Sequence, residues 1–392
     1  MWTDEQQGAL DKVGAWHANS SQQVFRLFGY AGTGKTTLAR HLAEQINGEV
    51  QFAAYTGKAA HVLQTKGCPA TTIHSLIYHP KNKSRERLIR LRHEMEKEKD
   101  PKVLEKLRKE VQAEEEELSR PSFSLNRDSD IKFCKLVVID ECSMVGEQMG
   151  KDLESFDVPI LVLGDPAQLP PVRSAGYFTN NPPHYMLNEV HRQAKDNPII
   201  RLATQVRNES LLSVGEYGTS RVADPSVRLD ADFVLSHDQI LVGRNATRVS
   251  VNRRVRQLLG RTSALPEQGD KLVCLRNDAD AGLLNGSMWT VVDCEGESEE
   301  YLSLVVADGK TEVHVRAHKA PFLGQDLNMP WWDRKEAQEF TYGYAITTHK
   351  AQGSQWPKVL VFDESRTFRA DRYRWLYTAI TRAAESVTII PR

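Results

Sequence analysis

No stretch of this sequence approaches the roughly 18 consecutive apolar residues that span a membrane. Nor does it open on a basic and then apolar leader: Met1-Trp2-Thr3-Asp4-Glu5-Gln6 is polar and acidic. Cysteine is scarce, with five in 392 residues, at 68, 134, 142, 274 and 294, and no Cys-x-x-Cys pair. That scarcity argues against a disulfide framework, a zinc site or an iron–sulfur cluster, and it predicts a protein of the reducing cytoplasm. An excess of charge is missing too: Lys plus Arg number 51 and Asp plus Glu 52, for a net charge of −1. A histone-like protein and a charged disordered tail are thereby excluded, and nucleic-acid binding has to come from local patches. Internal repeats and low-complexity tracts do not occur.

What remains is the composition of a soluble globular protein, 40% hydrophobic and 26% charged. At about 150 residues per domain the length predicts two to three domains. Val24 to Phe28, Leu136 to Ile139 and Ile160 to Leu163 read as buried strands, each followed by Gly or Asp and then a helix or loop. Such runs suit a parallel sheet covered on both faces, with ligands beyond the carboxyl ends of the strands. We expect one α/β domain over 1–79 and 121–190, and a second over 191–261 and 336–392, where Ile240 to Val242, Val359 to Phe362 and Val387 to Ile390 are strand-like.

Each domain carries an insertion. Residues 80–120 are mostly charged, with apolar residues on two helical faces and Asp100-Pro101 between them, which predicts a two-helix arm. The arm begins basic (Lys81, Lys83, Arg85, Arg87, Arg90, Arg92) and ends acidic (Glu114 to Glu117). It is either a solvated projection or an arm whose basic base touches a nucleic-acid backbone. Residues 262–335 hold short strand-like runs with Asp308-Gly309 as a hairpin turn, and predict a small barrel.

The chemistry starts at Gly29-Tyr30-Ala31-Gly32-Thr33-Gly34-Lys35-Thr36, which matches G-x-x-x-x-G-K-[ST]. Glycines let backbone N–H groups close around phosphates, Lys35 reaches the β and γ phosphates, and the Thr36 hydroxyl ligates Mg²⁺. A strand precedes the loop; a helix follows, with Leu38, Leu42 and Ile46 spaced by four and Asn47-Gly48 as its stop. Asp140-Glu141 end the second strand: Asp140 suits a metal site and Glu141 a general base for the attacking water. Asp165 and Gln168 follow the third, where the Gln168 amide can orient that water.

In this order the motifs resemble a superfamily 1 helicase of the RecD-like and Dda-like group, bacterial or phage, which moves 5′→3′ on single-stranded DNA. Thr3 to Gln6 looks like the adenine-reading Gln motif, Ala54 to Ala60 like motif Ia, and Thr72-Ile73-His74-Ser75 like the Thr-x-His-Ser motif. Asp140 to Met144 looks like motif II, Gly164 to Val172 like motif III, and Leu187 to Gln193 like motif IV. Tyr344 to Ser354 looks like motif V and Leu376 to Ala383 like motif VI, while the β-rich insert resembles the group's Src-homology-type barrel. Tyr55 stands in place of Pro, Gln355 in place of an acid, and the arm in place of a β-hairpin wedge. The arm either replaces that pin or supports a short one near Tyr78-His79-Pro80 or Phe123-Ser124-Leu125.

The resemblance implies two RecA-like domains with ATP and Mg²⁺ between them. Catalysis falls to Lys35, Glu141, Gln168, Arg192 and Arg382. The nucleotide falls to Gln6, Gly29, Ala31, Gly32, Thr33, Gly34, Lys35, Thr36, Thr37, His191 and Gly353, and the metal to Thr36 and Asp140. Single-stranded DNA falls to Thr56, Lys58, His74 and Ser75 on the first domain and to Thr348, His349 and Lys350 on the second. A monomer working at a duplex fork, with a single-strand-binding or replication protein beside it and no membrane, is the expected setting. The competing class is an ATP-switched DNA-binding or loading partner, or a stimulated ATPase that does not unwind; the complete hydrolytic set disfavours a pure switch.

Overall fold

The computed structural model describes residues 2–19, 22–80, 86–119, 123–171, 176–189, 197–227, 229–278, 280–325 and 334–392. The strands of the first lobe are β1 (Val24–Gly29), β2 (Val50–Ala54), β3 (Ala70–Thr72), β4 (Tyr78–Pro80), β5 (Phe123–Leu125), β6 (Leu136–Asp140), β7 (Ile160–Gly164) and β8 (Tyr185–Leu187). Six of them form one parallel sheet in the order β3-β2-β6-β7-β1-β8. Central strands buried on both faces explain the unbroken apolar runs. Helices Asp4–Asn19, Lys35–Gln45 and Gly57–Thr65 cover one face through Val13, Leu38, Leu42 and Leu63. Helices Ile73–Ile77 and Glu147–Glu154 cover the other through Ile73, Ile77 and Leu153. Full burial of each such leucine or isoleucine contributes about 1.5–3 kcal/mol. Because the strands are parallel, Gly29, Ala54, Asp140 and Gly164 all end at one edge.

The second lobe contains β9 (Gly215–Tyr217), β10 (Ser220–Val222), β11 (Gln239–Val242), β17 (Ala345–Thr347), β18 (Trp356–Asp363) and β19 (Ala383–Pro391) in the order β17-β11-β18-β19-β10-β9. Only the β9–β10 pair is antiparallel. Between β11 and β17 lies an antiparallel sheet of β12 (Lys271–Cys274), β13 (Met288–Glu297), β14 (Tyr301–Ala307), β15 (Glu312–His318) and β16 (Phe340–Tyr342), ordered β15-β14-β13-β12-β16. A parallel bridge from Ala317 to Gln338 draws its two edges together. The insert therefore takes in Phe340–Tyr342, beyond residue 335 where the sequence pattern predicted its end.

Residues Glu86–Lys97 and Pro101–Ser119 are helices packed through Leu88, Leu91, Val111 and Leu118. Their two charge blocks face each other: Arg87 pairs with Glu114 at 3.3 Å and Arg92 with Glu115 at 2.7 Å. At the base, β4 and β5 pair antiparallel, Tyr78 opposite Leu125 and Pro80 opposite Phe123, so a short ribbon and the helices occur together. All five cysteines are free, four of them buried. Among the described residues no helix is long and apolar enough to cross a membrane.

Asp270 ties the insert to the second lobe. It is fully buried and accepts from Arg256 Nε at 3.1 Å, Arg261 Nη1 at 2.8 Å, Tyr344 Oη at 2.8 Å and the Glu267 N–H at 2.8 Å. Removing it strands the buried Arg256 guanidinium without its main counter-charge. Asp270→Ala should lower stability by about 3–5 kcal/mol, read from denaturant unfolding of the second-lobe transition; a loss under about 1 kcal/mol would show the network to be dispensable.

Candidate nucleotide site and nucleic-acid interface

The phosphate loop starts where β1 ends. Gly32 and Gly34 both have φ of 81°, a left-handed conformation that glycine adopts without penalty and that turns loop amides inward. Lys35 Nζ donates across the loop to Gly29 O at 2.6 Å and Tyr30 O at 3.0 Å. Ala31 and Thr33 lie in the turn that leads into the helix Lys35–Gln45, and Thr37 lies in that helix's first turn. Gln6 is buried beside it, with Nε2 donating to Thr33 O at 3.2 Å and Oε1 accepting from the Thr3 N–H at 3.1 Å. The Glu5 carboxylate accepts the N–H groups of Asn188 and Glu189 at 2.9 and 2.6 Å. The next residues, His191 and Arg192 among them, lie outside the described residues.

Two acids meet the loop at the end of β6. Thr36 Oγ1 donates to Asp140 Oδ2 at 3.0 Å, bringing together two hard oxygens of the kind Mg²⁺ selects. Asp140 Oδ1 accepts the Glu141 N–H at 2.8 Å. Glu141 has φ of 52°, a left-handed conformation that costs a non-glycine residue about 1–3 kcal/mol and marks strain held at a working site. Burial in the cleft raises its carboxyl above the ordinary 4.5; Arg382 is the largest opposing charge, with Asp140 raising, Lys35 lowering and Asp165 raising it in turn. Gln168 is buried, and its side-chain oxygen has no hydrogen-bond partner among the described residues. Such an orphan costs about 1–3 kcal/mol, and a water proton would satisfy it.

The second lobe reaches into this site through motif VI. Tyr377 Oη accepts the Ala31 N–H at 3.1 Å and donates to Asp165 Oδ2 at 2.7 Å. Burial foremost, and then Asp165, push its phenol well above the usual range, so it stays a donor. Leu169 is held at both ends of its peptide: its N–H goes to Thr378 Oγ1 at 3.0 Å and its carbonyl accepts Gln352 Nε2 at 2.9 Å. The Arg207 guanidinium lies 3.6 Å from the Tyr30 ring centroid. Buried Arg382 is oriented by the carbonyls of Thr378 and Ser354 at 3.1 and 3.3 Å. Tyr377, Thr378, Gln352 and Arg207 were not among the expected functional residues, because only the folded chain shows what they touch. Gly353, expected among the nucleotide ligands, lies at the lobe contact: a Cβ there would meet Ala59 Cβ at 3.0 Å and Thr56 Oγ1 at 3.4 Å.

The expected DNA residues divide into groups. Thr56 caps the helix Gly57–Thr65, accepting the Ala59 N–H at 3.2 Å, and Ser75 bonds Thr72 Oγ1 at 2.8 Å. His74 belongs to an aromatic cluster with Tyr55, Tyr78 and Phe123, at ring distances of 6.0, 5.6 and 5.3 Å; burial keeps it below the usual histidine range. Lys58 lies 4.7 Å from the Trp356 ring centroid across the seam, where burial first and Lys271 second lower it to about 8. His349 packs on Phe368, and Lys350 Nζ bonds Asn285. Thr348 has to be removed from the set. It is fully buried, its N–H bonds Val242 O at 3.0 Å and its hydroxyl points to the same carbonyl, so it cannot touch a phosphate; half-buried Thr347 is the neighbouring hydroxyl that lines a cavity.

Two outcomes are expected. Tyr377→Phe removes both bonds that join motif VI to the loop, and hydrogen bonds to charged groups are worth about 1.5–3 kcal/mol; ATP turnover should fall about tenfold or more with KM little changed, and an unaltered kcat would contradict this role. Glu141 must be ionised to act as base, so its raised pKa places the acid limb of the turnover profile above pH 4.5. Arg382→Ala removes the charge that lowers that pKa, so residual activity should rise with pH through a still higher limb; a limb that stays or moves down would refute the contact.

Known proteins resemble this chain in sequence and in fold. Residues 2–220 match the AAA domain family and residues 342–390 the UvrD-like helicase C-terminal domain. The ATP-dependent RecD2 DNA helicase of Deinococcus radiodurans is 26% identical over 98% of this chain and 48% of its own length. An uncharacterized Acanthamoeba polyphaga mimivirus protein is 28% identical over 44% of this chain and 34% of its own. The chain thus spans about half or less of the length of these curated relatives. Among solved structures, Bacteroides Pif1 helicase with ADP-AlF3 and ssDNA superposes with a TM-score of 0.56 at 17% identity, over 99% of this chain and 92% of that one. Candida albicans Pif1 helicase gives 0.52 at 18%, over 100% and 94%. These likenesses establish the fold. With more than half of its residues matched by the first family model, the chain belongs to the AAA domain family.

Proposed function

We propose that this protein is an ATP-dependent DNA helicase that moves 5′→3′ along single-stranded DNA and opens duplex ahead of it. The observation that carries the reading is the seam: Tyr377 of the second lobe bonds a phosphate-loop amide of the first, and Arg382 is the strongest opposing charge on the base Glu141. A nucleotide in this loop is read by both lobes at once. The likeness to a RecD2 helicase, and to Pif1 structures with ssDNA and forked dsDNA, supports the DNA substrate and the two-lobed motor.

The loop amides and Lys35 hold the phosphates, with Gln6 at the base end. Thr36 and Asp140 would hold Mg²⁺, which would supply positive charge to offset that on the transferring phosphoryl group. Glu141 takes the proton of a water that Gln168 orients. Arg382, with Arg192 expected beside it, stabilises the transition state; such arginines are worth about 10³–10⁵ in rate. Loss of the γ-phosphate loosens the contact between lobes. Thr56, Lys58, His74 and Ser75 on one lobe and His349 and Lys350 on the other alternate their grip on the strand. Hydroxyls, amides and amines suit phosphates and carry no base code, as stepping through any sequence requires. The antiparallel insert acts as a Src-homology-type barrel over the second lobe, and the ribbon of β4 and β5, backed by the helical arm, serves as the separating element.

Strand displacement on duplexes tailed at one end tests this directly. Wild type should open 5′-tailed and not 3′-tailed substrates with ATP, and Lys35→Ala should open neither. Opening from 3′ tails only would reverse the polarity, and single-strand-stimulated ATPase without opening would favour a non-unwinding motor.

A further inference from the structure

The ribbon of β4 and β5 is three residues long on each strand. A two-stranded ladder that short holds no direction of its own and has to be packed against something rigid. Two braces supply this. The first is apolar: His74, Tyr78 and Phe123 pack ring on ring, His74 at 5.6 Å from Tyr78 and 5.3 Å from Phe123, with Tyr78 and Phe123 6.3 Å apart. The second is polar: Tyr78 Oη donates to Asp152 Oδ2 at 2.5 Å. Burial first, and then Asp152, push this phenol well above the usual range, so it stays a donor. Asp152 Oδ1 accepts Gln148 Nε2 at 2.9 Å, one turn back, which orients the carboxylate on its own helix.

That helix, Glu147–Glu154, is tied to the segments that carry the hydrolytic residues. Upstream, the turn Cys142–Met144 joins it to Glu141. Across it lies Tyr177, which follows motif III in the chain. The Tyr177 N–H bonds Val145 O at 2.8 Å and its hydroxyl bonds Glu154 Oε2 at 3.0 Å. Its ring lies so close to Gly150 that a Cβ there would fall 2.0 Å from Tyr177 Cδ1, so only glycine leaves room for this packing. Beneath, Met149 and Leu153 share one core with Ile73 and Ile77 of the helix that leads into β4. The helix Glu147–Glu154 thus stands between the catalytic acids and the ribbon, gripped from both sides. A contiguous packed element of this kind can carry a displacement from one place to the other.

We propose that Tyr78 and Asp152 are positioning residues for duplex opening: their hydrogen bond fixes the ribbon to the helix Glu147–Glu154, so that a step of the motor bears on the duplex instead of bending the ribbon aside. The inference rests on the helicase reading above, which makes the ribbon the separating element. Without the bond the motor still hydrolyses ATP and still steps along a single strand, but the ribbon yields when base pairs resist it.

Strand displacement on a 5′-tailed duplex, set beside streptavidin displacement from a 3′-biotinylated single strand, separates opening from stepping. Asp152→Ala should keep single-strand-stimulated ATPase and streptavidin displacement at wild-type rates. It should slow duplex opening about tenfold, the worth of one hydrogen bond to a charged group, with a larger deficit on G·C-rich than on A·T-rich duplexes. Asp152→Asn keeps an acceptor for the phenol and should restore most of the opening rate. Tyr78→Phe keeps the ring and should open duplex as slowly as Asp152→Ala, and the double variant no more slowly than either. Wild-type opening rates in Asp152→Ala and Tyr78→Phe would overturn the proposal. So would opening and stepping that fall together, because the bond would then serve the motor or the fold alone. If wild type steps but opens nothing, the helicase reading falls and takes this inference with it; if wild type opens duplex and the variants match it, that reading stands and only this inference falls.

Discussion

Four hydrogen bonds make the two lobes one machine. Ala31 N–H to Tyr377 Oη, Tyr377 Oη to Asp165, Leu169 N–H to Thr378 Oγ1 and Gln352 Nε2 to Leu169 O all cross the same seam. Each joins a loop at the carboxyl edge of the first sheet to motif V or VI of the second lobe. None lies in bulk water, so each is stronger than a surface bond and more damaging when broken. The phosphate loop therefore cannot change shape without the second lobe registering it.

The chemistry is set inside that seam. Glu141 is held in a left-handed backbone conformation, raised by burial and by its acidic neighbours, and opposed by a cation from the other lobe. Its basicity thus depends on closure: with Arg382 withdrawn the carboxyl holds its proton more tightly and is less often ionised. Gln168, with an unsatisfied buried oxygen, adds a position that water is drawn to occupy. In the proposed reading, hydrolysis and lobe contact would be two readings of one arrangement, which is the physical requirement for turning nucleotide cleavage into movement.

Much of this was legible in the sequence where the signal is local. The glycine spacing before Lys35, the apolar runs of β1, β6 and β7 and the acids that end β6 depend on neighbouring residues alone. Contacts between distant segments were not legible. Nothing near Tyr377 says that its hydroxyl reaches Ala31, and nothing near Thr348 says that it faces the sheet while Thr347 faces outward. Strand period settles which of two adjacent threonines is exposed only once the register is known. The arm shows the same limit: its basic and acidic runs were visible, but not that Arg87 and Arg92 turn their charge onto Glu114 and Glu115.

The account stands on a nucleotide-dependent contact between lobes, and the distance between them reports it most directly. Spin labels at Glu44→Cys on the first lobe and Arg254→Cys on the second, in a chain whose exposed Cys294 is replaced by Ser, would read it by pulsed electron resonance. Distance distributions should differ between nucleotide-free protein and protein saturated with ADP and aluminium fluoride. Superimposable distributions with nucleotide demonstrably bound would contradict it.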